Sequence, residues 1–83
     1  MHLLYFAWLR ERLGRAEEEV TLPPSVRTVG ELMAWLGTRE GAGAALFAEP
    51  NVIRAAVNQE IARLETRLTD ADEVAFFPPM TGG

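Results

Sequence analysis

The residues with the clearest chemical potential are the last eight, Phe76-Phe77-Pro78-Pro79-Met80-Thr81-Gly82-Gly83. An apolar strand running into two prolines predicts a stiff, extended exit, because proline fixes φ and brings no N–H to a ladder. Gly82 and Gly83 carry no Cβ, so they fit a channel too narrow for other residues and leave a terminal carboxylate unshielded. At about 3.3–3.6 Å per residue, Pro78 to Gly83 would reach roughly 20 Å from the body, far enough to enter another protein's active site. The expected functional group is therefore the Gly83 carboxylate. Pro78, Pro79, Met80, Thr81 and Gly82 are expected to thread it, and the folded part to present it. A plain disordered terminus is the alternative. Against it stands the combination of apolar strand, double proline, short spacer and Gly-Gly.

Other chemistry is thinly supplied. There is no cysteine, hence no disulfide framework, thiolate metal site or cysteine nucleophile. The single histidine, His2, is expected to be a surface or strand residue, not a ligand or base. Glu17-Glu18-Glu19 is not expected to form a metal or acid/base site, since consecutive strand residues point to opposite faces. Gly41-Ala42-Gly43 lacks the lysine and hydroxyl residue of a phosphate-binding loop. The net charge of −4 argues against general nucleic-acid binding. The longest apolar run, Leu3 to Leu9, is too short to span a membrane and has no basic leader or cleavage site, so a soluble cytoplasmic protein is expected. All eight basic residues are arginine. Codon bias or adaptation to heat is the first explanation. Chemically, an activated acyl group at Gly83 would also meet no lysine amine here.

Eighty-three residues make one domain. His2 to Ala7 is expected as a buried strand, and Trp8 to Leu13 as a short helix stopped by Gly14. Arg10, Arg12 and Arg15 form a small basic cluster, either a solvated face or a contact for an acidic partner. Glu17 to Leu22 is expected as a strand antiparallel to the first, with Val20 and Leu22 inward. Thr28 caps a helix to about Leu36, with Glu31 closing a capping box and Gly37 as terminator. Its stripe of Val29, Leu32, Met33 and Leu36 faces a core. After a break and a short helical turn near Ala44 to Ala48, Val52 to Val57 and Glu60 to Leu64 are expected as a hairpin about Asn58-Gln59. Asp70-Ala71-Asp72 turns the chain into a last strand, Glu73 to Phe77. On that strand Val74 and Phe76 share one face and Ala75 and Phe77 the other. Phe77 is thus expected to be an exposed aromatic at the root of the tail and a contact for a partner, with Ile61 and Arg63 beside it. One main helix against a mixed, curled sheet is an α+β architecture, the β-grasp of ubiquitin, with residues 1–77 as the domain and 78–83 as the tail.

The strings Ala55-Ala56-Val57-Asn58-Gln59, Leu68-Thr69-Asp70, Asp72-Glu73-Val74-Ala75-Phe76-Phe77-Pro78-Pro79 and Thr81-Gly82-Gly83 resemble the small subunit of molybdopterin synthase, a ubiquitin-like sulfur carrier. Leu4-Tyr5-Phe6-Ala7 and Leu9-Arg10-Glu11 fit as well, so the resemblance covers nearly the whole chain. The departure is Ala71, where the family more often has glycine, which bears on the local turn and not on the tail. The resemblance implies that a ubiquitin-activating-like adenylyltransferase uses ATP to adenylate Gly83. A sulfur donor would then convert it to a thiocarboxylate. The tail would next enter the large subunit, which supplies the catalytic side chains and passes sulfur to cyclic pyranopterin monophosphate. It also implies no bound cofactor on this chain and a dimer of carrier–large-subunit pairs. Two other readings stay open at this point: a sulfur carrier for thiamine or sulfur amino-acid synthesis, and a ubiquitin-like interaction module with an inert tail.

Overall fold

A computed structural model describes residues 1–39, 46–47 and 52–79. Its elements, in chain order, are β1 (His2–Tyr5), α1 (Trp8–Leu13), β2 (Glu17–Glu19), α2 (Val29–Thr38), β3 (Arg54–Val57), β4 (Glu60–Ile61) and β5 (Glu73–Phe77). The strands form one mixed sheet in the order β2-β1-β5-β3-β4. β1 and β5 are parallel, and the other neighbours are antiparallel. With α2 as the main helix, this is the β-grasp α+β fold expected from the sequence. Among the described residues, no helix is long and apolar enough to cross a membrane.

Alternation decides what the sheet buries. Leu3 and Tyr5 of β1, Ala55 of β3, and Val74 and Phe76 of β5 are all buried. The stripe of α2 packs with them: Val29, Leu32, Met33 and Leu36 are buried as expected. Phe76 is fully buried in an aromatic cluster, stacked on Tyr5 with ring centroids 6.2 Å apart and edge-on to Phe47 at 5.2 Å.

Several boundaries differ from expectation. β1 stops at Tyr5 because Ala7 takes φ 55°, although the Phe6 N–H still donates to the Phe76 carbonyl. β2 stops at Glu19, yet Val20 and Leu22 pack on the core as expected. α2 runs through Gly37 to Thr38. A helical glycine costs only about 1 kcal/mol. The helix ends where the Thr38 hydroxyl takes the Trp35 carbonyl and Arg39 becomes extended. β3 begins at Arg54, not Val52. β4 is two residues long because the chain turns at once: Arg63 and Thr66 bond each other, and the Leu64 carbonyl accepts from the Gly30 N–H at 2.8 Å. A Cβ on Gly30 would lie 3.2 Å from that carbonyl oxygen, so glycine permits the contact. The break at Gly41-Ala42-Gly43 lies outside the described residues. Of Ala44 to Ala48, only Leu46 and Phe47 are described, in a helical turn.

The caps and turns are otherwise sound. The Thr28 hydroxyl accepts from the Glu31 N–H at 3.2 Å, and the Glu31 carboxylate accepts from the Arg27 N–H, one residue earlier than an ordinary capping box. Ala71 sits in its turn without positive φ. The Asp72 carboxylate accepts from the Thr69 N–H and the Asn58 amide. Those bonds hold its pKa below the usual range.

Glu18 ties three elements together. Its side chain, on the core side of β2, accepts from Arg39 at 3.0 and 2.9 Å and from the Tyr5 hydroxyl at 2.6 Å. Arg39 first, and Tyr5 with it, hold the Glu18 carboxyl below the ordinary 4.5. Burial and this carboxylate raise the Tyr5 phenol. A carboxylate favoured by the fold stabilises it at neutral pH and ceases to do so as pH falls below about 4.5 and then through the lowered folded value. Glu18→Gln is therefore expected to cost about 2 kcal/mol at pH 7. The gap from wild type should shrink on the acid side. Urea unfolding at neutral and acid pH checks both parts, and a gap that stays constant would assign the loss to packing.

Candidate functional site

The tail leaves from the middle of the sheet. β5 has β1 on one side and β3 on the other, and runs parallel to β1, so Pro78 departs at the end where β1 also finishes. Pro78 and Pro79 follow the strand in no regular element and are half-buried. Met80, Thr81, Gly82 and Gly83, expected to thread and react, lie outside the described residues.

Register sorts the solvent-facing side of the sheet into three transverse rows. The row farthest from the tail holds Glu19, His2 and Glu73. There His2 contacts the carboxylates of Glu17 and Glu19. The middle row runs Glu17, Leu4, Ala75, Ala56, Ile61 across all five strands. The row at the tail end pairs Phe77 with Arg54. Phe6 continues β1 beside it, since its N–H donates to the Phe76 carbonyl.

The side chains expected to meet a partner are placed as follows. Ile61 is 77% exposed, in the apolar middle row. Phe77 faces the same side but is half-buried, which corrects the expected exposed aromatic: it lies between Arg54 on β3 and Phe6 at the end of β1. Arg63 is exposed and lies just beyond β4, where the chain has begun to turn. The exposed aromatic of the tail row is Phe6, at 49%, which the sequence reading had placed in a buried strand. Alternation was the missed signal, because inward Leu3 and Tyr5 send Phe6 outward.

Among the described residues, the arrangement sets Phe6, Phe77 and Arg54 together at the root of Pro78-Pro79. Among the described residues, no three His, Asp or Glu are placed to hold a metal ion. Gly30, Met33, Phe47 and Leu64 are among the residues lining a cavity of about 460 Å³ beside α2.

Known proteins share both sequence and fold. Residues 3–83 match the ThiS family. The molybdopterin synthase sulfur carrier subunit of Escherichia coli is 43% identical over 82 residues, covering 98% of this chain and 96% of that protein. Its counterpart in Haemophilus influenzae is 34% identical over 87 residues, covering 100% and 99%. The crystal structure of SAMP1 from Haloferax volcanii superposes with a TM-score of 0.71 at 30% identity, covering 100% of this chain and 98% of that one. The sheet order, the buried α2 stripe and a full-length match that reaches the terminal glycines agree: the chain belongs to the ThiS family, alongside the sulfur carrier subunits of molybdopterin synthase.

Proposed function

We propose that this chain is the sulfur carrier subunit of a molybdopterin synthase, with the Gly83 carboxylate as the group that is charged and discharged. The observation that carries the reading is the placement of β5. The central strand of the sheet runs into Pro78-Pro79 at the end where Phe6 and Phe77 lie on the solvent-facing side. Full-length identity to curated carrier subunits supports it.

The chemistry follows from the weakness of a carboxylate as an electrophile. An adenylyltransferase joins the Gly83 carboxylate to the α-phosphate of ATP and releases pyrophosphate. The resulting acyl-adenylate has AMP as a good leaving group. Sulfide-level sulfur from a donor attacks the acyl carbon, AMP leaves, and a thiocarboxylate remains. The tail then enters the large subunit, where side chains of that subunit direct attack of the thiocarboxylate sulfur on cyclic pyranopterin monophosphate; water then cleaves the acyl–sulfur bond, leaving sulfur on the substrate and Gly83 as a carboxylate. Phe77, Phe6 and Ile61 dock the body, while Pro78, Pro79, Met80, Thr81 and Gly82 line the channel. Two carrier–large-subunit pairs make the working assembly, in the cytoplasm.

The test is the intact mass of the chain after incubation with the adenylating enzyme, ATP and a sulfur source. A gain equal to exchange of one oxygen for sulfur, mapped to Gly83, is expected. No gain, with that enzyme active on another carrier, would make the protein an interaction module with an inert tail.

A further inference from the structure

The row at the root of the tail is flanked by arginine. Arg54 sits directly opposite Phe77 on β3. Arg63 falls next to Arg54, because the Ala62 N–H donates to the Ala55 carbonyl and so carries the β3–β4 register one pair further. Both are exposed, and both line one groove of about 390 Å³ between α2 and the β4 edge. Among the described residues, neither makes an ion pair. On the other flank, Arg15 precedes β2, with the Ala16 carbonyl bonded to the Tyr5 N–H, and pairs loosely with Glu18 at 3.4 Å.

The opposite end has the reverse sign. Glu19 and Glu73 face solvent in the far row, Glu60 starts β4, and Asp70 and Asp72 hold the turn before β5. In a chain of net charge −4, Arg15, Arg54 and Arg63 thus stand at the end where the tail leaves, with Glu11 and Glu17 near them, while Glu19, Glu60, Asp70, Asp72 and Glu73 stand at the other, with Arg27 and Arg67 near them. A solvated face has no reason to be polarised along the direction in which the tail points. A docking face does, because the resulting field turns the molecule tail-first towards a complementary surface.

We infer that Arg54 and Arg63 meet carboxylates on the large subunit, arranged around the mouth of the channel that takes the tail. The inference rests on the carrier reading above and adds the chemistry of the partner surface. Apolar contact by Phe6 and Phe77 holds the docked body. The arginines raise the rate of encounter and fix its orientation.

The experiment is stopped-flow association of the full chain with its large subunit at low and at moderate salt. Wild type is expected to associate about ten times more slowly at the higher salt, as exposed charges are screened. Arg54→Glu with Arg63→Glu should slow association about tenfold at low salt and flatten the salt dependence, with dissociation little changed. Glu60→Gln, at the far end, should leave the rate at or above wild type. Thermal unfolding checks that each variant folds. Arg54→Gln with Arg63→Gln takes the place of the reversal should that pair fail to fold, with a smaller slowing expected. Association unaffected by salt and by the arginine variants would overturn this inference and leave the carrier reading intact. Faster association by the reversed variant would also overturn it, since the mouth would then be basic. A large subunit that fails to bind wild type at all would overturn both.

Discussion

Replacing Gly83 by alanine, or adding one residue after it, is expected to abolish sulfur transfer while leaving the melting temperature unchanged. On the proposed reading, a methyl group on Gly83 would meet the walls of a channel sized for glycine, and an added residue would replace the Gly83 carboxylate by an amide. Displacing a reacting atom by about 1 Å costs on the order of 100-fold in rate. The loss for Gly83→Ala should be at least that large, and the extended chain should be inert. The fold should be indifferent, because the core is complete within β5: Val74 and Phe76 are fully buried, and the strand ends at Phe77. Thiocarboxylate formation and product yield are the measurements, with thermal unfolding alongside. Surviving activity in the extended chain would remove Gly83 from the mechanism.

Phe76→Ala and Phe77→Ala should separate stability from binding within one dipeptide. Phe76 is fully buried against Tyr5 and Phe47. Truncating a buried phenylalanine costs about 3–5 kcal/mol. In a domain of this size that is about 12–40 °C in melting temperature. Phe77 lies on the other face of the same strand, half-buried and outside the core. Its truncation should cost less than about 1.5 kcal/mol of stability, yet weaken binding to the large subunit by 2 kcal/mol or more, roughly 30-fold. Unfolding curves and titration calorimetry on both variants decide the matter. The reverse pattern would place Phe77 in the core and the docking surface elsewhere.

The features legible in the sequence were those set by local rules. The α2 stripe and its Thr28 cap follow from spacing along a few residues, and the opposite faces of Phe76 and Phe77 follow from alternation alone. The hairpin at Asn58-Gln59 was legible too, because asparagine tolerates the positive φ of 50° that opens the turn, which Gln59 continues at 71°. What the sequence concealed was non-local. Arg39 and Glu18 are 21 residues apart, and they meet only because α2 continues past Gly37 and ends beside β2. β4 is short because Leu64 gives its carbonyl to Gly30, a partner on another element. Phe6 is the instructive case: its apolar character suggested burial, while its position after Tyr5 required the opposite. The row of Arg54, Phe77 and Phe6 exists only once register aligns three strands.

The central position of β5 has a mechanical consequence. Four residue pairs join β5 to β1 and four join it to β3. A pull on the tail acts along the strand that bears it, so the load falls on both ladders together, in shear. A strand at a sheet edge, pulled across its length, would instead lose its bonds one after another. On the carrier reading proposed above, the tail is withdrawn from each channel by the same few residues that entered it. Anchoring the tail to the middle of the sheet lets the domain serve as the handle for that withdrawal without unravelling under it.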